Sequence, residues 1–161
     1  MPFKIGHGVD THQLESECDL IIGGVKIPFH KGSKGHSDGD VLYHAIVDAL
    51  LGATALGDIG SHFPSSDIHW KNANSEKFLS HVFSLVSNKG YTISNIDSTI
   101  LLQAPQVNPH IQHMKENISK ILHISVDCIS VKATTTDHLG YIGNGDGLTA
   151  HVVVLLEYQH G

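Results

Sequence analysis

The stretch Ile5-Gly-His-Gly-Val-Asp-Thr-His-Gln-Leu14 indicates a strand and places two candidate ligands beside each other. Phe3 to Val9 has the character of a β-strand, and Asp10 and His12 follow what we expect to be a glycine-rich turn. Side chains two positions apart on an extended segment point to the same face. A carboxylate and an imidazole are therefore expected side by side.

A third candidate ligand follows in Gly35-His-Ser-Asp-Gly-Asp-Val-Leu-Tyr-His44. Ser37 or Asp38 is expected to cap a helix that carries His44 in its first turns. An isolated Asp-x-His motif is usually a turn carboxylate and a structural histidine, but a second histidine-bearing segment favours a metal site. One Asp and two His leave one position open on a tetrahedral zinc, as in catalytic sites. We therefore predict a metalloenzyme.

Two aspartates are candidates to orient the ring of His44. Asp40 and Asp48 lie four residues to either side of it, on the same helix face. Either could accept the hydrogen bond that sets the tautomer of a ligating histidine, and the sequence does not distinguish them. A helix-surface polar stripe is the structural alternative.

Composition narrows the class of protein. With 161 residues, 40% apolar and 16% charged, the chain predicts one globular domain over residues 1–161. The net charge of −6 and the lack of a Lys/Arg cluster argue against nucleic acid as a partner. No apolar run has membrane-spanning length, and only two cysteines are present, so we expect reduced thiols in a cytoplasmic protein. A plastid protein without its transit peptide is the alternative.

Strands alternate with helices along the chain. We expect strands over 3–9, 20–27, 91–103, 128–133 and 148–157, and helices from 37 or 38 to the stop at Gly57–Gly60, over 75–88 and over 109–122. This order predicts an α/β (α+β) fold: a mixed β-sheet with helices packed on one face, the last two strands forming a hairpin-like pair. The other sheet face needs cover and suggests self-association through Ser98, Ile100, Leu102, Val152, Val154 and Leu156.

Three segments have features of phosphate or sugar sites. His36-Ser37 precedes a helix, where free N–H groups favour an anion, although Ser37 could simply cap the helix. Lys132-Ala-Thr-Thr-Thr-Asp137 offers hydroxyls and a carboxylate to phosphate oxygens and Mg²⁺. Gly57-Asp-Ile-Gly60 is either a helix stop or a site for sugar hydroxyls.

Together these segments resemble the 2-C-methyl-D-erythritol 2,4-cyclodiphosphate synthases of non-mevalonate isoprenoid biosynthesis. The resemblance extends from end to end. It rests on Ile5–His12, Ile22-Gly-Gly-Val-Lys-Ile-Pro28, His36-Ser-Asp-Gly-Asp-Val with His44, Asp48-Ala-Leu-Leu-Gly-Ala53, Leu56-Gly-Asp-Ile-Gly60, Phe63-Pro64, Gln103-Ala-Pro105 and Lys132-Ala-Thr-Thr-Thr136.

The resemblance implies a homotrimer with active sites between subunits and a nucleotide-diphosphate substrate. The substrate would be 4-diphosphocytidyl-2-C-methyl-D-erythritol 2-phosphate, whose 2-phosphate attacks the β-phosphorus and releases CMP. Asp10, His12 and His44 would hold one zinc per subunit. Magnesium or manganese would accompany the diphosphate, and Asp137 is the candidate ligand.

The resemblance also assigns roles in catalysis and substrate binding. His36 and Thr135 would stabilise the transition state, and Asp10, His12, His36 and Ser37 would contact the phosphates. The methylerythritol part would lie against Asp58, Ile59, Gly60, Phe63, Pro64, Ser65, Ser66 and Asp67. The cytidine and diphosphate side, from the adjacent subunit, would comprise Leu102, Gln103, Ala104, Pro105, Gln106, Val107, Asn108, Thr134, Thr135, Thr136 and Asp137, with Tyr141 and Asn144 as further binding residues.

Three positions depart from the family pattern. Asp137 replaces a glutamate near the magnesium, Gln106 a lysine near the nucleotide, and Asn144 an arginine that serves diphosphate ligands at the trimer's centre. Regulation by isoprenoid diphosphates is therefore not expected here. The alternatives are a zinc phosphoesterase that activates water with the same triad and a trimeric ligand-binding protein without turnover.

Overall fold

Side chains along the first strand alternate between buried and exposed positions, which distinguishes the two faces of the sheet. The computed structural model describes residues 2–35, 37–71 and 73–160, and in it β1 runs over Phe3–Ser16. The predicted turn before Asp10 is wrong, because the strand continues through it. Gly6 and Gly8 instead let a helix approach the strand: a Cβ on either residue would lie 1.9 Å from a backbone oxygen, that of Ala49 or Ala45.

In the rest of the chain, helices alternate with strands in sequence. They are β2 (Leu20–Ile22), β3 (Val25–Ile27), β4 (Lys31–Ser33), α1 (Val41–Ala53), α2 (Ile59–His62), α3 (Ser75–Asn88), β5 (Tyr91–Leu101), α4 (Ile111–Leu122), β6 (Ile129–Thr134), α5 (Gly140–Gly143) and β7 (Gly147–Tyr158). Short 3₁₀ turns cover Asn108–His110 and Val126–Cys128, so Pro109 precedes α4 rather than opening it.

The sheet is mixed, as predicted, with the order β4-β1-β7-β5-β6. Only β5 and β6 are parallel, while β7 is antiparallel to both β1 and β5. The predicted pairing of the last two strands is therefore wrong, because β5 lies between them. Segment 20–27 is not one bent strand but the hairpin β2–β3, which turns at Gly23 and Gly24 with φ of 58° and 73°. Segment 28–35, expected to be a loop, contains β4.

Helices cover one face of the sheet, as predicted. They cover the face that we expected to be free of helices and available for self-association. The residues assigned to self-association are at most 4% exposed and belong to the core: Ser98, Ile100, Leu102, Val152, Val154 and Leu156. The alternate residues are exposed instead, including Ile5 at 72% and Val153 at 40%. The uncovered face of β7 also carries two apolar residues, Val153 and Leu155, so apolar side chains alone do not identify the face that packs on helices.

Asp40, rather than Ser37 or Asp38, caps α1. Its wholly buried carboxylate accepts hydrogen bonds from the backbone N–H of Tyr43 at 3.1 Å, Gly23 at 2.9 Å and Gly24 at 2.7 Å. Burial raises the pKa of Asp40 to about 6, and the three donors limit that rise. Asp40 thus joins the β2–β3 hairpin to the start of α1.

The second end of α1 also differs from the prediction. The helix ends at Ala53, and Asp58 caps the separate short helix α2. By contrast, α3 has the predicted bounds, Ser75–Asn88. Within the described residues, no helix is both long and apolar enough to cross a membrane.

Candidate metal centre and flanking cavities

The three predicted metal ligands come together where α1 crosses β1. Asp10 and His12 lie on the helix-covered face of β1, and His44 is the fourth residue of α1. Asp10 Oδ2 lies 2.7 Å from His12 Nε2 and 3.3 Å from His44 Nδ1. The two ring nitrogens are 3.2 Å apart. One ligand atom from each residue can therefore face a common point.

The chemistry of this triad fits a divalent metal such as zinc. Asp10 Oδ2 is buried against the ring nitrogens of His12 and His44, and no other hydrogen-bond partner reaches it among the described residues. Such an oxygen is costly to bury unless a cation satisfies it. One carboxylate and two imidazoles suit zinc and leave a net positive charge and an open position.

Hydrogen bonds outside the triad set the tautomer of both histidines. His12 Nδ1 donates to the Lys34 carbonyl at 2.9 Å, which leaves the Nε2 lone pair toward the centre. His44 Nε2 donates to Ser75 Oγ at 2.8 Å, and the Ser75 hydroxyl donates to Asp38. The chain Asp38–Ser75–His44 leaves the Nδ1 lone pair of His44 toward the same centre.

Neither aspartate expected to orient His44 does so. Asp40 is committed to the backbone of α1 and the β2–β3 hairpin. Asp48 accepts the backbone N–H of Ile59 at 2.8 Å, and burial raises the pKa of its carboxyl. Sequence reasoning missed Ser75, since it begins α3, 31 residues beyond His44. Asp38 was considered only as a cap.

The acid and base of the triad stabilise each other's charge. Burial opposes ionisation of Asp10, but hydrogen bonds and charge from His12 and His44 outweigh it and lower the pKa. Burial likewise opposes protonation of His12, but the Asp10 carboxylate outweighs it and raises the pKa above the ordinary 6.5. A metal that binds the triad therefore competes with a proton on His12.

A cavity of about 690 Å³ opens beside the triad. Five residues predicted for the methylerythritol part line it: Ile59, Gly60, Phe63, Pro64 and Ser65. Its other lining residues are Thr11, His12, Gln13, Lys34, Gly35, Ser37, His44, Trp70, Lys71 and Phe78. Lys71 gives the cavity positive charge, which suits phosphate groups, whereas the Lys34 ammonium pairs with Glu15 at 3.0 Å.

The apolar wall of this cavity was only partly predicted. Phe63 stacks on Phe78 with ring centroids 4.5 Å apart and meets Trp70 edge-on at 4.7 Å. Sequence reasoning missed Trp70, which lies in a polar segment without periodicity. Three predicted residues do not line the cavity: Asp58 caps α2, Asp67 accepts the backbone N–H of His69 at 2.9 Å, and Ser66 is exposed.

A second, smaller cavity of about 190 Å³ lies at the carboxyl ends of β5 and β6. It is lined by Leu102, Gln103, Pro105, Gln106, Val107, Asn108, Ala133, Thr134 and Thr135. The two predicted halves of the cytidine side, 102–108 and 134–136, therefore meet, although Ala104 and Thr136 do not line the cavity. None of the described residues lines both cavities.

Asp137, Tyr141 and Asn144 line neither cavity. Asp137 has a φ of 51° and donates its backbone N–H to Thr135 Oγ1 at 3.3 Å. The Tyr141 hydroxyl lies 2.5 Å from Thr149 Oγ1, and Asn144 is exposed at the end of α5. His36 lies outside the described residues.

Comparisons with known proteins agree with this geometry. The model of the YgbB family matches residues 3–157. A 2-C-methyl-D-erythritol 2,4-cyclodiphosphate synthase from Chloroherpeton thalassium is 55% identical over 154 residues, covering 96% of this chain and 98% of the relative.

Solved structures are similar as well. Bifunctional IspDF from Campylobacter jejuni aligns with a TM-score of 0.93 and 40% identity over 98% of this chain, which spans 42% of IspDF. A CDP-bound 2C-methyl-D-erythritol-2,4-cyclodiphosphate synthase aligns with a TM-score of 0.89 and 35% identity, covering 96% of this chain and 100% of that structure. The chain therefore belongs to the YgbB family.

Proposed function

We propose that this chain is a cyclodiphosphate synthase of isoprenoid biosynthesis. It converts 4-diphosphocytidyl-2-C-methyl-D-erythritol 2-phosphate to 2-C-methyl-D-erythritol 2,4-cyclodiphosphate and CMP. The observation that carries the proposal is the Asp10–His12–His44 triad beside a cavity of about 690 Å³, in a chain 55% identical to a synthase of that name.

The reaction needs alignment and charge neutralisation more than a strong base. The ionised 2-phosphate attacks the β-phosphorus, a new P–O bond forms, and the bond to the CMP oxygen breaks. A zinc ion in the triad, with magnesium or manganese on the diphosphate near Asp137, would neutralise charge as a Lewis acid. Lys71 lines the cavity and adds positive charge beside the phosphates.

The chain's own residues hold the substrate's ends. The aromatic wall around Phe63 excludes water from the methylerythritol part, and Ser37 contacts its phosphates from the triad side of the cavity. Thr135, exposed in the smaller cavity, is the proposed transition-state donor, together with His36. The smaller cavity binds cytidine, a role supported by the CDP-bound relative.

A homotrimer would complete the site. In one chain no residue that the structure describes lines both cavities, so a neighbour's smaller cavity is the proposed complement of the larger one. The uncovered sheet face, with Ile5 at 72% and Val9 at 42% exposure, supplies apolar surface for such an assembly. We also propose residues 1–161 as one synthase domain, located in the cytoplasm as in a bacterial cell.

The test is a phosphorus NMR assay of untagged protein with zinc, magnesium and the substrate. Cyclic diphosphate plus CMP, lost on chelation and restored by metal, is the expected result. Linear products would replace the proposal with a phosphoesterase, and zinc-dependent binding without turnover with a ligand-binding protein. Light scattering at the same protein concentration should give three times the chain mass, and a monomeric mass would contradict the shared site.

A further inference from the structure

The uncovered sheet face carries a second pair of imidazoles that the proposed reaction does not use. His7 on β1 and His151 on β7 are both exposed. His7 is in register with Val153, and His151 with Val9, so the histidines are diagonal neighbours on one face. Diagonal side chains on adjacent strands can reach each other when they are long or aromatic. Because His7 is odd-numbered on β1, this pair lies on the opposite face from Asp10 and His12.

The facing nitrogens have a separation suited to chelation. His7 Nε2 and His151 Nδ1 are 3.3 Å apart, close to the 3.2 Å between the ring nitrogens of His12 and His44. Two nitrogens 3.3 Å apart, each ~2.05 Å from a zinc ion, would subtend about 107°, near the tetrahedral angle. The rings lie 23° from parallel.

The surroundings leave both imidazoles available to a metal. Neither belongs to an ion pair in the described part of the chain. Their register neighbours Val9 and Val153 are apolar. Between two neutral rings only one N–H can be shared across the facing nitrogens, whereas a metal ion uses both lone pairs. Imidazole is a favoured ligand of zinc, nickel and copper.

We propose that His7 and His151 form a second site for a divalent transition metal, separate from the triad. Two imidazoles leave further positions for water or for imidazoles of another copy of the chain. If the uncovered faces point inward in a homotrimer, three such pairs share that interior. The site itself does not depend on the proposed reaction, because one chain supplies both ligands.

The test measures zinc alone, by equilibrium dialysis of untagged, metal-stripped protein. His44→Ala removes a ligand from the triad, so zinc retained by that variant reports other sites. Adding His7→Ala or His151→Ala should weaken the retained zinc at least about tenfold, because losing even an outer-shell partner of a ligand typically weakens metal binding about 10- to 100-fold. Adding His113→Ala, an exposed histidine on α4, is the matched control and should change nothing.

Two further measurements keep the test decisive. Where His44→Ala is unstable, the same variants are compared in protein whose triad is already loaded with zinc. Anomalous X-ray scattering at the zinc edge should place an ion between His7 and His151. Either one ion per chain or one per three chains supports the site, and the ratio reports sharing. Equal zinc binding with and without His7 and His151, or scattering at the triad only, would overturn the proposal and leave a hydrogen-bonded pair.

Discussion

Two imidazole pairs lie on opposite faces of the same sheet, and their ring nitrogens are almost equally far apart. His12 and His44 are 3.2 Å apart on the covered face, and His7 and His151 are 3.3 Å apart on the uncovered one. Only the covered pair has a carboxylate, Asp10, and partners that set both tautomers. The difference teaches that a suitable separation of two ring nitrogens is enough to permit metal binding. Hydrogen bonds from the surrounding fold, which fix the tautomer and orientation of the rings, distinguish the triad as a dedicated metal centre.

Removing a triad ligand tests the covered centre most severely. His44→Ala should abolish metal binding at the triad and lower turnover by at least about 10³-fold, since a Lewis acid contributes several kcal/mol to the transition state. Folding should change only modestly. Zinc stoichiometry, turnover and urea unfolding measure these effects, with His113→Ala as the control. Unchanged turnover in His44→Ala would refute the zinc assignment.

A second prediction distinguishes the two histidine pairs by the elements that position them. The triad needs α1 against β1, whereas the uncovered pair needs only β1 beside β7. A Cβ on Gly8 would lie 1.9 Å from the Ala45 oxygen, next to His44. Gly8→Ala should therefore cost about 3 kcal/mol of unfolding free energy and weaken zinc at the triad.

The control for this substitution lies on α1, the helix that packs against Gly8. A Cβ on Gly52 meets nothing closer than 4.0 Å. Gly52→Ala should stabilise the protein by up to about 1 kcal/mol, because alanine has the higher helix propensity. Chemical unfolding with and without zinc compares both variants. Equal stabilities for Gly8→Ala and wild type would mean that α1 can move away from β1 without loss.

Local sequence patterns could predict the metal-binding triad but not the residue that orients His44. Asp10 and His12 share a face because strands have a period of two, and His44 follows from a helix start. Ser75 could not be predicted as the partner of His44, since only the tertiary fold brings α3 to α1. The sheet's uncovered face was misassigned because it also carries apolar residues, such as Val153 and Leu155 on β7. The same alternation, once its phase is known, places His7 and His151 together.

The partner of His44 provides a finer test of orientation. Ser75→Ala removes the acceptor for His44 Nε2 and the link to Asp38. Zinc affinity at the triad should fall about 10- to 100-fold, the usual effect of losing such a partner. Ser80→Ala, an exposed serine on the same helix, should have no effect. Titration with a zinc-sensitive dye measures both. Equal affinities would show that Ser37, whose Oγ lies 3.3 Å from His44 Nε2, orients the ring without Ser75.

The smallest predicted effect is a pH dependence that the triad's own charges impose. The pKa of His12 is raised above 6.5, so in metal-free protein its ion pair with Asp10 stabilises the fold fully below pH 6.5. That stabilisation is lost as the pH rises through the raised pKa. The pKa of Asp10 is lowered, so the stabilisation that its carboxylate contributes is present above pH 3.8 and is lost as the pH falls through the lowered value.

The affinity for zinc should depend on pH as well. Zinc must displace the His12 proton, so the apparent zinc affinity should rise about tenfold per pH unit, and this rise should continue above pH 6.5. Thermal unfolding of metal-free and zinc-loaded protein should therefore diverge as the pH increases. An affinity that levels off below pH 6.5 would mean that Asp10 does not hold a proton on His12, and the covered pair would then lack the coupling that distinguishes it from the uncovered one.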